Sequence, residues 1–315
     1  MTDTAITGIG TYLPRRRVDN DEARLEKLDR PLDDAGLERL GVHSRYRAEK
    51  DEGIAEMAAA AAEQALRRAG VPAAELDLII LSNWTERRYV PEFAPRLKAL
   101  LAAEHAFAFD VCCACAGFLV GLATARAMLT DRGWRRALVV GSETTSLRAR
   151  PGGRSTLLYS DGAGAFVLES APHTTGRLID VETLTFAEHH DLMDVTSEGY
   201  VRSRVEQREL IAVAVESILE VAGALLRRNA LTFDDIDWLV PHSGTAGIQA
   251  RLRRRLGTVA DRVLTNLPQV GNLSSASIPV ALEHFTARGE IRPGQLVLAV
   301  SVGTGFYAAA ALFTL

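Results

Sequence analysis

The feature that most constrains the fold of this chain is that it is written twice. Residues 76–85 read LDLIILSNWT and residues 236–245 read IDWLVPHSGT, so Asp77 falls on Asp237 and Thr85 on Thr245 at an offset of 160. The preceding segments QALRRAG (64–70) and ALLRRNA (224–230) keep that offset, placing Arg67 and Arg68 over Arg227 and Arg228. RALVVGSETT (136–145) falls on QLVLAVSVGT (295–304) at 159, and Cys115–Met128 falls on Ser274–Ala287 at the same shift. Four segments in one order with a near-constant shift mark a tandem duplication of one α/β unit.

Within each half the pattern runs strand, helix, strand, helix, strand, strand. IAEMAAAAAEQALRRA (54–69) reads as a helix, with Gly70 just beyond its end where a left-handed cap belongs. LDLIIL and ALVVG are short and wholly apolar, as strands buried on both faces are. Helices alternating with such strands imply mostly parallel sheets covered by helices. Two copies packed face to face give an α/β fold of five layers, αβαβα, dividing into residues 1–170 and 171–315. The stretch 170–205, rich in His, Thr, Asp and Glu, is expected to hold the junction and a mobile loop.

Composition narrows the class. The 315 residues are 47% hydrophobic and 24% charged, the balance of a soluble globular protein. A formal net charge of −4 supplies no field to recruit nucleic acid. Residues 2–13 lack the basic and apolar regions of a secretory signal, and no run reaches the apolar length of a bilayer span. The three cysteines, 112, 113 and 115, are too close to build a disulfide framework. Without a second Cys or His cluster they make a poor zinc site. The expectation is a cytoplasmic chain without a metal, in which one thiol works.

In FAFDVCCACAGFLVGLATARAML (107–129) a buried strand ends near Val111 and a helix begins near Ala116. Cys115 therefore sits at a strand-to-helix turn, where the helix N–H groups lower a thiol pKa and favour the thiolate. The alternative, a small cysteine packed into a tight turn, suits Cys112 and Cys113 better. His242 follows the apolar strand DWLV, at the kind of strand end where α/β folds gather chemistry. A lone loop histidine would mean little, but the repeat makes it the mate of Ser82 and puts it at the matching edge of its half. Asn272, in PQVGNLSSASIPVAL, lies three residues from the position aligned with Cys115 once the turn is allowed one residue of slack; it equally suits a helix N-cap. Gly303, Thr304 and Gly305 form a turn whose N–H groups suit an oxyanion, or simply a tight turn before the last strand. Gly141-Ser142-Glu143 lacks the second glycine of a Gly-x-Ser-x-Gly elbow, which argues against an α/β-hydrolase. Arg251, Arg253, Arg254 and Arg255 offer a basic helix face for an acidic carrier protein, or a solvated surface.

At these residues the sequence resembles the β-ketoacyl-acyl-carrier-protein synthase III family, a branch of the thiolase superfamily. DVCCACAGF (110–118), YSDGAGAFVL (159–168), DWLVPH (237–242), GNLSSASIPVAL (271–282) and VGTGF (302–306) carry the resemblance, in order, across the chain. It implies a thiolase-like fold, a homodimer, a thioester-dependent acyltransferase, and no metal or redox cofactor. The family's triad falls on Cys115, His242 and Asn272. The Cys takes an acyl group from a thioester; the His and Asn bind a malonyl thioester, stabilise the enolate left by decarboxylation, and allow a Claisen condensation. A thiolate forms a thioester that keeps acyl reactivity, and neutral donors suit a transient oxyanion.

The resemblance also places the backbone of Cys115, Thr304 and Gly305 in the oxyanion hole. Arg39, Arg154 and Thr245 fall along the donor, an acyl-carrier protein or acyl-coenzyme A, and Val90 and Val302 fall in the acyl pocket. Departures accompany it. Ala35 stands where the family has an adenine-stacking Trp, Thr245 where it has an Asn on the pantetheine arm, and Gly247 where it has a docking Arg. Val302 replaces a Phe, and Val90 an aromatic residue that enters the partner's pocket, which implies a roomier pocket. These changes point to polyketide or other specialised metabolism rather than bulk fatty-acid initiation. They leave two fates for the acyl group: condensation, or transfer to a hydroxyl or amine with His242 as general base. A catalytically silent partner subunit would have no reason to keep Cys115, His242 and Asn272 together.

Overall fold

The computed structural model describes residues 4–23, 28–30, 32–170 and 176–315. The first sheet contains β1 (Thr4–Tyr12), β2 (Leu78–Ser82), β3 (Phe107–Val111), β4 (Arg136–Thr144) and β5 (Asp161–Ser170), in the order β1-β5-β4-β2-β3. The second contains β6 (Leu178–Thr185), β7 (Trp238–Pro241), β8 (Leu296–Gly303) and β9 (Tyr307–Thr314), in the order β7-β8-β9-β6. β2 is parallel to both β3 and β4, and β7 is parallel to β8, whereas the hairpins β4–β5 and β8–β9 are antiparallel.

The apolar runs alternate strictly between two cores. Leu78 and Ile80 of β2 point into the central layer, while Ile79 and Leu81 point out against helix α1 (Ile54–Ala69). The central layer is filled by two helices, α2 (Gly117–Arg132) and α5 (Ser277–Ala287), which follow the equivalent turns of the two halves. There Phe118, Val139 and Phe166 meet Ile278, Ala299 and Phe313, so one core is built from both copies. Helix α3 (Gln207–Arg228) and helix α4 (Ala246–Leu256) cover the outer face of the second sheet, burying Ile218 and Leu252 against Leu239 and Val300. The five expected layers are present.

Close approach explains the Ala-rich α1. A Cβ at Gly8 or Gly10 of β1 would stand 2.1 Å from the carbonyl oxygen of Ala65 or Ala61, so strand and helix backbones nearly touch. The segment Ala114–Arg132 is long and apolar enough to cross a membrane, with a mean hydropathy of 1.2. That corrects the expectation that no run has this length. Its apolarity has another cause: it lies between two sheets, with Phe118, Leu119, Leu122 and Leu129 buried.

The strand pairing sharpens the repeat. Leu78 faces Ala137 across β2–β4 and Trp238 faces Val297 across β7–β8, so both strands of each pair shift by 160. The turns Ala114–Ala116 and Ser274–Ala276 keep the same shift. The offset of 159 read for the later segments is therefore one residue short, and the mate of Cys115 is Ser275. Ala114 and Ser274 then coincide, and both are left-handed non-glycine residues, with φ of 47° and 51°. The stretch expected as a mobile loop is partly regular. It supplies β6 and a two-stranded ribbon, Met193–Val195 with Val201–Ser203; residues 171–175 of it lie outside the described residues.

Candidate active site

Cys115 stands on the turn that leaves β3. The left-handed Ala114 costs about 1–2 kcal/mol, so neighbours must hold the turn in place. Ser301 of β8 donates from its hydroxyl to the Cys115 carbonyl at 2.8 Å. Gly303 comes closer still: a Cβ there would stand 2.8 Å from Cys115 N and 2.9 Å from the Cys113 carbonyl oxygen. Only glycine fits. The second half thus buttresses the cysteine turn of the first.

Cys115 Sγ and Ser274 Oγ are in hydrogen-bond contact at 3.3 Å, a thiol and a hydroxyl that can each donate to the other. Burial pushes the thiol up to about 11, the Ser274 hydrogen bond opposes this, and the nearby Glu143 reinforces it. The helix terminus expected to create a resting thiolate is outweighed by desolvation. At neutral pH Cys115 is a thiol. Nor do its neighbours pack away as expected, since Cys112 is exposed and Cys113 half-buried.

His242 ends β7 with its main chain fixed: its N–H donates to the Val300 carbonyl at 2.9 Å, and its carbonyl accepts from Gln249 Nε2 at 3.1 Å. Burial holds the imidazole down to about 4, so it is neutral at physiological pH. Its Nδ1 is buried with no hydrogen-bond partner among the described residues. Asn272 is clamped at both ends, Nδ2 donating to the Gly244 carbonyl at 3.0 Å and Oδ1 accepting from Ser274 N at 2.8 Å. The side chain holds the turn, as a cap would, yet one amide hydrogen remains for a ligand.

Cys115, His242 and Asn272 line one cavity, together with Trp84, Val302 and Thr304. Leu158 and Thr245 line both this cavity and a second one, on whose wall stand Arg39 and Arg154. The two cavities share those two residues as a common wall. Thr245 Oγ1 also caps α4, accepting from Ile248 N at 3.3 Å. Gly305 is not among the residues lining the cavity, and a Cβ there would meet the Tyr307 ring. Val302 lines the cavity; Val90, expected to reach the partner's pocket rather than this one, is 91% exposed beside Tyr89 at 84%. Three of the four arginines of α4 have partners within the chain. Arg253 donates to the Ala260 and Val263 carbonyls, and Arg251 and Arg255 both pair with Glu216.

Three site residues escaped the sequence: Trp84, Glu143 and Ser274. Glu143, near the end of β4, is fully buried. Its Oε2 accepts from Thr85 Oγ1 at 2.8 Å and from the N–H groups of Trp84 and Thr85 at 3.3 Å. Its Oε1 accepts from Ser275 Oγ at 2.7 Å and Ser274 Oγ at 3.4 Å. Burial nonetheless pushes its carboxyl up to about 7. The available signal was a carboxylate inside an apolar strand covered on both faces, where an ordinary charge does not belong.

A duplicated five-layered α/β fold, with a cysteine at one central turn and His and Asn at matching edges of the other copy, defines the thiolase-like class. Family models agree: 3-oxoacyl-[acyl-carrier-protein] synthase III matches residues 109–185, and the C-terminal part of the same family matches 226–315. The β-ketoacyl-[acyl-carrier-protein] synthase III of Sphingopyxis alaskensis is 39% identical, with 97% of each chain covered. The crystal structure of 3-oxoacyl-[acyl-carrier-protein] synthase III from Aquifex aeolicus superposes with a TM-score of 0.92 at 32% identity, covering 99% of this chain and all of the other. The priming β-ketosynthase of the R1128 polyketide pathway superposes with a TM-score of 0.90 at 29% identity, over 99% and 96%. The chain belongs to the 3-oxoacyl-[acyl-carrier-protein] synthase III family, and is an acyltransferase of thiolase fold.

Proposed function

We propose that the protein loads an acyl group from a thioester donor onto Cys115 and joins it, by decarboxylative Claisen condensation, to a malonyl thioester held by His242 and Asn272. One observation supports the assignment: the three side chains line a single cavity, and Leu158 and Thr245 on its wall also line the cavity that holds Arg39 and Arg154. In this reading a long, flexible pantetheine arm passes Leu158 and Thr245, with its phosphate near the arginines and its thioester at the cysteine. Apolar walls at Trp84, Leu210, Ala214 and Val302 suit an alkyl chain.

The electrostatics suit the second step as well. Neutral His242 and Asn272 present hydrogen-bond donors to a carbonyl oxygen without a charge that would collapse onto it or repel the enolate. The backbone of Cys115 and Thr304 serves the oxyanion of the loading step, and the thioester itself is the activated reagent, with no metal or redox group in the scheme. The acting form is a cytoplasmic homodimer. Tyr89, Val90, Leu147 and Phe107 are all more than half exposed, side chains a second copy would cover in this reading.

Carbon dioxide release tests the reading. Acylated enzyme given malonyl-coenzyme A should release it, while His242→Ala and Asn272→Ala should still load the acyl group but release none. An acylated wild type that releases none, yet acylates an alcohol or amine, would overturn condensation.

A further inference from the structure

Loading Cys115 leaves a proton to be placed, and Sγ is hydrogen-bonded to Ser274 rather than to His242. Ser274 Oγ is a junction. Trp84 Nε1 donates to it at 2.7 Å, Cys115 Sγ lies 3.3 Å away, and Glu143 Oε1 lies 3.4 Å away. With Trp84 a fixed donor, the single hydroxyl proton of Ser274 points either to Glu143 or to Sγ. Those two orientations are the two ends of a shuttle. We propose that Glu143 is the proton reservoir for Cys115, reached through the hydroxyl of Ser274, with Trp84 holding that hydroxyl in register.

The proposal rests on the acyl-cysteine reading and completes its proton balance. In the resting state the Cys115 thiol donates to Ser274, whose hydroxyl donates to the Glu143 carboxylate. As Sγ bonds to the acyl carbon, its proton passes to Ser274 Oγ and the serine's own proton passes to Glu143. The bond to the donor sulfur breaks, and that thiolate leaves with the electron pair and takes a proton from water. In the second step the enolate carbon attacks the acyl carbon and Cys115 departs as thiolate. It recovers a proton from Ser274, which is refilled by Glu143. Over one turnover the network gains and loses one proton, and one solvent proton ends on the released donor thiol.

The surroundings match this task. The charged or titratable groups near Glu143 are Cys112 and Cys115 on the turn, Glu86 through Thr144 Oγ1, and Arg148 on the Thr85 carbonyl. Every hydrogen-bond donor to Glu143 itself among the described residues is neutral. With neutral donors the carboxyl is not locked in its charged form, and its protonation near neutrality is what a proton acceptor needs.

Two readouts test the shuttle. The first is alkylation of Cys115 by iodoacetamide, followed peptide by peptide so that Cys112 and Cys113 do not interfere. The second is acyl loading from acetyl-, hexanoyl- or decanoyl-coenzyme A, followed by rapid quench and intact mass. Wild type should show a rate step near pH 7 in both. Glu143→Gln should lose that step and react roughly a hundredfold more slowly at pH 8, in the range general-base catalysis supplies. Ser274→Ala should match it, the double variant should add nothing, and Glu143→Asp should keep the step. A Glu143→Gln protein with an unchanged or higher melting midpoint, reacting within twofold of wild type on the same pH profile, overturns the proposal. If wild type loads no donor while alkylation still depends on Glu143, the shuttle stands and the acyl-cysteine reading falls.

Discussion

Glu143→Gln is expected to stabilise the protein, by an amount that grows with pH. The carboxyl is fully buried and held at about 7 against an ordinary 4.5. The sign follows from linkage. A folded pKa above the unfolded one means that the folded state binds the extra proton between these values. Wild type therefore loses stability as pH rises from 4.5 through 7, then levels off. The full penalty is about 3 kcal/mol, of which about 1 kcal/mol applies at pH 5.5. Glutamine keeps the geometry: its Oε1 replaces the oxygen facing Thr85, and its NH₂ replaces the one facing Ser274 and Ser275, whose hydroxyls turn to accept. Urea unfolding at pH 5.5 and pH 8 measures the effect, and the advantage of the variant should grow by about 2 kcal/mol across that interval. An advantage independent of pH would refute the buried, near-neutral carboxyl. A variant less stable than wild type at pH 8 would show that charge-assisted hydrogen bonds outweigh desolvation.

Other expectations follow from single contacts. Gly303→Ala places a methyl 2.8 Å from Cys115 N and should cut acyl loading by about a hundredfold, since small displacements of a reacting group carry costs of that order; circular dichroism should show the fold retained. Arg39→Ala with Arg154→Ala should raise the KM for acyl-coenzyme A about tenfold, leave kcat unchanged, and flatten the dependence of KM on salt. An unchanged KM would remove both arginines from the donor path.

The architecture was legible because the repeat and the apolar strand cores report the same arrangement: the run from Leu78 to Leu81 is apolar throughout because helices cover both of its faces. Cys115 and His242 were open to notice because each follows such a strand, whereas Asn272, which follows the short helix Leu267–Val270, was reached through the repeat and the family resemblance. The one-residue error at the turn was not, because the left-handed Ala114 and Ser274 leave no mark in residue type. Cys115's protonation was misjudged for a related reason. A helix N-terminus can be seen in sequence, but the desolvation that outweighs it is a property of the closed cavity. Glu143 was read only as part of a failed hydrolase motif. Its hydroxyl partners Thr85, Ser274 and Ser275 are brought to it by strand pairing across the first sheet and by the approach of the second half. The partners of three α4 arginines, Glu216 and two carbonyls, could not be read from the sequence, because they are brought to the helix by the fold.

The central claim is that Cys115 carries the acyl group. Incubation with acyl-coenzyme A donors, followed by intact mass and peptide mapping, should show one acyl adduct on Cys115 and none in Cys115→Ala. An adduct that survives in Cys115→Ala, or that maps to Cys112 or Cys113, would contradict it.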